Sequence, residues 1–377
     1  MRTEARVDLS AVRHNVAALA ERAAAGAGVM AVVKADGYGH GLVPTARAAV
    51  EGGATWLGVA FLEEALALRA GGVQVPVLAW LTTPGEDLKT AVSAKVDLGV
   101  YDLAELAAAA DAAQATGSVA RVQLKADTGL SRGGAQPADW PALCEAAAKA
   151  EADGTVKVTG LWSHFAFADG GPDHPTNSRQ AAVFREALDV ASAAGLQPEV
   201  RHLANSAATL TAPATHYDLV RPGLAVYGLS PVPQLGSPAD FGLRPAMTLV
   251  STVALTKRVP AGSGVSYLHR YVTADRTTLA LVPVGYADGV PRNATNTAQV
   301  QLGGVRRTIA GTVCMDQFVL DVGDDDVHAG DEVVLFGPGD GGEPTAQDWA
   351  DWLGTINYEI VTRVGARVPR TYQEESA

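Results

Sequence analysis

Eight short runs of apolar and β-branched residues recur in the first 230 residues, set apart by alanine-rich stretches of helical periodicity, and this alternation limits the possible folds most strongly. The runs are VMAVVK (29–34), TWLGVA (55–60), VPVLAW (75–80), VDLGV (96–100), ARVQLKAD (120–127), VTGLWSHF (158–165), EVRHLANS (199–206) and DLVRPG (218–223). Helical stretches such as LEEALALRA, LAELAAAADAAQA and SRQAAVFREALDVASAAG lie between them, the last stopped by Gly195. Another, LSAVRHNVAALAERAAAGA, precedes the first run with Ser10 as its candidate N-cap. Strand–helix alternation repeated eight times fits a closed (β/α)8 barrel, with an open doubly wound sheet as the structural alternative. The placement of polar residues favours the barrel. Lys34, Lys125, Asp127, His164, His202, Asn205, Ser206 and Arg221 all stand at or just past run ends, which on a barrel is one mouth.

After about residue 235 the texture changes. MTLVSTVALTKRV, TTLALVPVGY, VQLGGVRRTIAGTVCMDQFVLDVG and DEVVLFG read as strands joined by Gly- and Asp-containing turns, with little helix until AQDWADWLGTINYEIVTRV. The expected organisation is an α/β chain: a TIM-type barrel over residues 1–235, then a mostly β domain over 236–377. The Pro- and Gly-rich PVPQLGSPADFG (231–242) connects them.

Charge and cysteine content exclude several classes. The formal charge of −12 comes without any basic stripe, so a nucleic-acid surface is not expected. No run reaches the roughly 18 apolar residues of a membrane span, and MRTEARVDLS has no signal-peptide core. A cytoplasmic protein with no membrane partner is the expectation. Cys144 and Cys314 are the only cysteines: too few for a disulfide framework, and no Cys/His cluster indicates a metal.

Lys34 ends an apolar run and has Gly37, Gly39 and Gly41 behind it, with Tyr38 and His40 among them. Desolvation disfavours an ammonium and lowers its pKa, and a neutral amine forms Schiff bases with carbonyl compounds, including pyridoxal phosphate. The plainer alternative is a strand-end lysine whose head snorkels to water. A phosphate cradle would favour the first reading. Ser206 stands near the start of a helical segment in ANSAAT, where backbone N–H groups and the helix dipole attract an anion. RPGLAVYG offers the Gly223 and Leu224 N–H groups, on the two last strand-end loops where barrels often hold phosphate. An ordinary cap at Ser206 and an ordinary turn at Gly223 are the alternatives.

Taken together, VMAVVKADGYGHG (29–41), KADTGLSRGG (125–134), SHFAFAD (163–169), RHLANS (201–206), VRPG (220–223), GVSY (264–267), VGYADGVPR (284–292), VCMDQF (313–318) and TINYE (355–359) resemble alanine racemase, a barrel-type pyridoxal 5'-phosphate enzyme. The resemblance runs through both domains in the family's order. The GYADG and CMDQ elements are its most specific parts. It implies an isomerase interconverting L- and D-alanine, with Lys34 bearing the cofactor and serving one face of the substrate's α-carbon. Tyr267 of the partner subunit would serve the other. Inversion needs a base on each face of a planar carbon, and a tyrosine's ordinary pKa of about 10 makes it a poor base unless a partner assists it. By the resemblance that partner is His164, packed near the cofactor ring.

Arg221 would face the ring nitrogen. An arginine does not give up its proton, so it leaves that nitrogen neutral and weakens the electron sink, which limits transamination and elimination. Related barrel decarboxylases carry a glutamate there. The resemblance assigns Arg132 to the substrate carboxylate, for which an arginine fork is suited, with the Met315 backbone N–H helping. Lys125 matches a lysine that some members carbamylate to orient that arginine. Tyr286, Asp169 and Arg292 map to the substrate entrance, and Tyr38 and Tyr358 to the phosphate site and inner pocket, with Asn205, Ser206, Gly223 and Leu224 around the phosphate.

Two positions depart from the family pattern. GVSYLHR has Leu268 where a glycine often follows the tyrosine, and GTVCMD has Thr312 where several members have arginine. The first bears on the loop of the second base and the second on the entrance. Because Tyr267, Tyr286 and Met315 belong in the family to the neighbouring subunit's site, a head-to-tail homodimer is expected, supplying D-alanine for peptidoglycan. The alternatives are a broader amino-acid racemase acting on serine, a barrel-type decarboxylase, and a non-catalytic pyridoxal phosphate carrier. Carriers of this type lack the β domain.

Overall fold

The computed structural model describes residues 2–374, and within them each of the eight apolar runs coincides with all or most of a strand. One strand precedes them, β1 (Thr3–Asp8). The eight are β2 (Gly28–Val32), β3 (Trp56–Val59), β4 (Val77–Ala79), β5 (Asp97–Val100), β6 (Ala120–Lys125), β7 (Val156–Trp162), β8 (Val200–His202) and β9 (Leu219–Val220). They form one parallel sheet in the order β8-β7-β6-β5-β4-β3-β2-β9. The two ends meet: Asp218 N–H donates to the Arg201 carbonyl (3.0 Å), Arg221 N–H to the Ala204 carbonyl (2.9 Å), and Asn205 bridges Arg221 in parallel. A parallel sheet closed on itself with helices in its crossovers is the (β/α)8 barrel, and the open-sheet alternative is set aside.

The chain separates into two units. Val12–Gly37 and Leu42–Leu243 make the barrel unit; the described residues of Met1–Ala11, Tyr38–Gly41 and Arg244–Ala377 make the other. The connector at 231–242 contains only a 3-10 turn, Ala239–Phe241. In the second unit β1 pairs antiparallel with Met247–Thr252 and parallel with Arg370–Gln373. The sheet continues through Glu332–Phe336, Gln299–Leu302 and Val305–Thr308, while Leu255–Val259, Thr277–Val282 and Phe318–Gly323 form a three-stranded sheet. Both β1 and Phe318–Gly323 alternate buried and half-buried residues, as strands with one face on a core must.

Local chemistry explains the helix limits and corrects one expectation. The helix Leu9–Arg22 is capped by Asp8, not Ser10: Asp8 Oδ1 accepts from Ser10 N–H (2.8 Å), Ser10 Oγ (2.6 Å) and Ala11 N–H (3.1 Å). A carboxylate at the N-cap satisfies orphan N–H groups and meets the helix dipole. The C-terminal stretch AQDWADWLGTINYEIVTRV is two helices, Ala346–Leu353 and Asn357–Thr362. Gly354 ends the first in a left-handed cap at φ 67°. No helix among the described residues is long and apolar enough to cross a membrane.

The barrel interior departs from the aliphatic filling usual for this architecture. Alternate residues of a strand share a face, so β6 presents Arg121, Gln123 and Lys125 in ascending layers. Gly160 makes room beside Gln123, since a Cβ there would come within 2.7 Å of the Gln123 side chain. Gly58 does the same beneath Trp80.

Candidate active site

Lys34 begins a turn that the chain adopts against its own preference. Ala35, Asp36, Gly37 and Tyr38 have φ of 53°, 54°, 60° and 52°, a single left-handed turn that costs about 1–2 kcal/mol per non-glycine residue. Several bonds hold it. Gly37 N–H donates to the Val33 carbonyl (2.9 Å), Ala35 N–H to Glu64 Oε1 (2.6 Å), and Leu42 N–H to Asp36 Oδ1 (2.8 Å). Glu64 Oε2 also accepts from Ala60 and Phe61 N–H, tying the turn to the loop after β3. At Gly37 a Cβ would meet Thr45 Oγ1 at 2.5 Å, so only glycine fits. Strain of this kind gathers where a side chain must be aimed.

Lys34 Nζ lies 5.9 Å from the centre of the Trp80 ring. Burial, then the nearby Arg132 charge, pushes its pKa down. Lys125, from the top of β6, is buried between the Tyr101 and Trp162 rings, its Nζ 4.8 and 4.7 Å from their centres. Burial first, and then Arg132 and Arg221, lowers its pKa to about 8. With Arg132 and Arg221 these lysines make a cationic mouth. His164 lies in its field and is held well below its usual pKa by burial, then by Arg221, Arg132, Lys125 and Lys34. It is neutral at physiological pH.

Arg221 is buried, and both of its terminal nitrogens are hydrogen-bonded. Its Nη2 donates to the carbonyls of Ser163 (2.7 Å) and Leu203 (3.1 Å) and to His164 Nδ1 (3.1 Å); its Nη1 donates to His202 Nδ1 (3.0 Å). Burial lowers its pKa to about 9, still high enough to leave it charged at neutral pH. A guanidinium only donates, so both histidines present an unprotonated Nδ1. His202 Nε2–H therefore donates to Gln123 Oε1 (2.7 Å), and Gln123 Nε2 donates to Asp97 Oδ2 (3.1 Å). Asp97 ends this one-directional chain in an ion pair with Arg121 (2.6 Å). Burial and Arg221 keep His202 neutral, with its pKa well below the usual value, and Trp162 stacks on its ring at 5.8 Å and 6°.

The loop that carries Arg132 is shaped by Asp127. Its Oδ1 accepts from the N–H groups of Gly129 (2.9 Å), Leu130 (3.0 Å) and Ser131 (3.1 Å), and its Oδ2 from Gln136 Nε2 (2.8 Å). Those bonds outweigh burial and hold the carboxyl below its usual pKa. Arg132 itself is exposed. Across the barrel mouth, Asn205 rather than Ser206 caps Ser206–Thr211, with Oδ1 accepting from Ala208 N–H (3.0 Å). Ser206 Oγ instead accepts from Gly223 N–H (2.8 Å) and Ala225 N–H (3.4 Å). Both contacts use lone pairs, so the hydroxyl proton stays available to an anion. Leu224 follows Gly223 in the same turn. Asp169 is exposed on the turn Ala168–Gly170, and its carbonyl accepts from Gln234 Nε2 (2.6 Å).

The remaining expected residues belong to the second unit. Tyr38 and Tyr358 lie with ring centres 6.2 Å apart. Tyr267, Tyr286 and Met315 are exposed on loops joined to the segment 311–317. Tyr286 N–H donates to the Cys314 carbonyl (3.0 Å) and Ala287 N–H to the Met315 carbonyl (2.9 Å). Arg292 is exposed on the neighbouring turn Arg292–Ala294, whose following Thr295 accepts at Oγ1 from Val313 N–H (3.1 Å). Thr312 Oγ1 donates to the Tyr267 carbonyl (2.8 Å). The Leu268 departure is conformational, because φ there is 63°, where glycine would be unstrained.

Sequence reasoning did not assign a role to Asp97, Gln123, Trp80, Tyr101 or Trp162. The Asp-Thr-Gly of KADTGLSR is a turn signal that points to Asp127; the buried relay leaves no such mark, since each member is one polar residue in a different strand.

Comparison with known proteins identifies the family. The family profile described as "Alanine racemase, N-terminal domain" matches residues 7–231, and "Alanine racemase, C-terminal domain" matches residues 246–372. The alanine racemase of Frankia casuarinae is 68% identical over 372 residues, 99% of this chain and 96% of the relative. Among solved structures, alanine racemase from D-cycloserine-producing Streptomyces lavendulae aligns with a TM-score of 0.97 at 57% identity, covering 99% of this chain and 97% of that one. That of Streptomyces coelicolor aligns at 0.96 and 58%, covering 98% of each. With a cation-rich barrel mouth, a β unit carrying the family's loops, and both family domains matched in order, the chain belongs to the alanine racemase family and is an enzyme of that activity, EC 5.1.1.1.

Proposed function

We propose that this enzyme interconverts L- and D-alanine through two bases, Lys34 on one face of the α-carbon and Tyr267 of the partner subunit on the other. The observation that carries the reading is an amine of lowered pKa held on a strained turn, in a cationic mouth whose central arginine is engaged by neutral histidines. The donor set fits pyridoxal 5'-phosphate. Ser206 keeps a hydroxyl proton to donate beside the Gly223–Leu224 turn, the four cations favour an anion, and Lys34 is the amine to hold the aldehyde. Bound there, the cofactor supplies an electron sink that acidifies the substrate's α C–H.

Each residue of the chain then has a defined task. Lys34 in its neutral form takes or returns a proton at the α-carbon. Arg132 binds the substrate carboxylate as a planar fork, on a loop that Asp127 shapes. Arg221 presents a proton it keeps, so the sink stays moderate and proton return competes with side reactions. That character favours racemisation over decarboxylation. His164, neutral and bonded to Arg221, can accept a hydrogen bond or pass one on without adding charge. Lys125 lies within the field of Arg132 and, as a carbamate, would orient it by attraction. Tyr38, Asn205 and Tyr358 complete the phosphate site and inner pocket, with Asp169, Tyr286, Arg292 and Met315 at the entrance.

A head-to-tail homodimer is part of the reading. Tyr267, Met315 and Tyr286 are 71, 52 and 43% exposed, a cluster of large side chains suited to a partner's surface. We assign the enzyme to D-alanine supply for peptidoglycan in the cytoplasm, which growth of a D-alanine auxotroph on the cloned gene tests.

Subunit complementation tests the shared site. Lys34→Ala and Tyr267→Phe homodimers each lose activity. If sites are shared, mixing and re-forming dimers places both lesions in one site and leaves the other intact, so activity reappears. No recovery on confirmed subunit exchange rejects shared sites.

A further inference from the structure

Tyr267 stands on a turn whose backbone is unfavourable at three residues. Ser266 has φ 60° and ψ −170°, a region that is essentially glycine's alone. Leu268 and His269 follow at φ 63° and 44°. No glycine relieves these positions, so the turn needs external bonds to persist. Two hydroxyls supply them in opposite directions. Thr312 Oγ1 donates to the Tyr267 carbonyl (2.8 Å), and Ser266 Oγ donates to the Thr312 carbonyl (2.7 Å), with Cys314 Sγ 3.3 Å from Ser266 Oγ. Thr312 is 3% exposed, so water does not compete for its bond.

The surrounding segment is built for this close approach. Gly311, at φ 82°, lies where a Cβ would come within 2.7 Å of the Val265 carbonyl and 3.3 Å of Ser266 Cβ. Gly311 N–H donates to Asn296 Oδ1 (2.6 Å), and Asn296 Nδ2 donates to the Arg270 carbonyl (2.9 Å) at the far end of the tyrosine turn. The turn is thus gripped at its start and centre by Thr312, and at its far end by Asn296, which Gly311 holds in turn. The Tyr267 side chain itself is largely exposed within the unit, so its direction is set by the backbone that carries it.

We propose that Thr312 and Ser266 are positioning residues: their reciprocal hydroxyl bonds hold the strained 266–269 turn and thereby aim the Tyr267 phenol for proton transfer. This rests on the reading of Tyr267 as the second base. Loss of either hydroxyl lets the turn relax toward ordinary backbone angles, moving the phenol while leaving the Arg132 loop, which Asp127 shapes, alone.

The test uses the purified holoenzyme and four variants: Thr312→Val, which keeps the shape and removes the donor, Thr312→Ser, which restores it, Ser266→Ala, and Tyr267→Phe. Steady-state constants and α-proton exchange with solvent deuterium are measured from each enantiomer. The expected result for Thr312→Val and Ser266→Ala is a fall in kcat of ~10- to 100-fold, the scale for displacing a reacting group by about an ångström. KM should stay within about twofold, the exchange asymmetry should have the same sign as in Tyr267→Phe, and Thr312→Ser should recover most of the loss. Ser266→Ala carries the same expectation should Thr312→Val fail to fold. The proposal is overturned if the folded variants keep kcat within about twofold of the parent, or if KM rises with no exchange asymmetry, while Tyr267→Phe is impaired. If Tyr267→Phe itself racemises normally in both directions, the two-base reading fails and the clamp's role fails with it.

Discussion

Arg221 Nη1 donates to His202 Nδ1 at 3.0 Å, and this contact joins the barrel mouth to a buried chain that ends at the Asp97 carboxylate. A charge that only donates makes His202 an acceptor on that side and a donor on the other. Gln123 must therefore turn its carbonyl toward His202 and its amide toward Asp97. The amide orientation of a glutamine is normally a matter of inference; here its neighbours leave one solution.

Gln123→Leu breaks that chain at its middle. It leaves the His202 donor without a partner in the interior and takes one donor from Asp97, which keeps Thr159 and Arg121, at about 1–3 kcal/mol for each lost bond. The variant should lose roughly 2–5 kcal/mol of stability, read by urea denaturation, and a stability within 0.5 kcal/mol of the parent would show that the chain is not needed.

Arg221→Glu replaces the kept proton by a carboxylate able to share one. Racemisation should fall by at least ~100-fold on the scale of a lost electrostatic group. Transamination, followed as pyruvate release from alanine, should rise relative to racemisation. A variant that loses both reactions in equal proportion would argue that Arg221 only supports the fold.

Lys125 has a pKa of about 8, so a substantial neutral fraction exists near that pH to combine with CO₂. Carbon-13 bicarbonate should yield a carbamate resonance that grows as pH rises through 8 and is missing in Lys125→Met. Linkage gives a second readout for the unmodified lysine. Its folded pKa lies below its ordinary 10.5, so between those values the unfolded chain binds the extra proton and stability rises with pH. In carbonate-free buffer Lys125→Met should flatten that rise and be more stable at pH 7 by on the order of 2–3 kcal/mol.

Asp127→Ala removes the acceptor of three loop N–H groups while leaving Arg132 in the chain. If the loop presents Arg132 to the substrate carboxylate, KM for alanine should rise about tenfold, the value of one charge-assisted bond, with a smaller change in kcat. An unchanged KM in a folded variant would separate Arg132 from substrate binding.

Some of this was legible in one dimension. The eight barrel strands show because each is a short apolar run bounded by turns, and a buried parallel strand needs little else. Lys34 shows because a charge ending such a run is conspicuous. By contrast, β1 is six residues of mixed character whose partner Met247–Thr252 lies some 240 positions away, so no local signal announces it. Tyr267 is one of nine tyrosines, and only likeness to a family distinguishes it. Its neighbour Leu268 shows why: the left-handed backbone there runs against local preference.

Composition and periodicity by themselves determined the eight-strand alternation, the change of texture near residue 235 and the line of polar residues at strand ends. Tertiary structure decided which of those polar groups meet, and so which are charged. A pKa or a tautomer depends on neighbours in space and on exclusion of water, as with Arg221, His202 and Gln123, which are brought together from three separate strand regions. A linear pattern records which side is buried, whereas the direction of a proton is settled only when donor and acceptor are placed face to face.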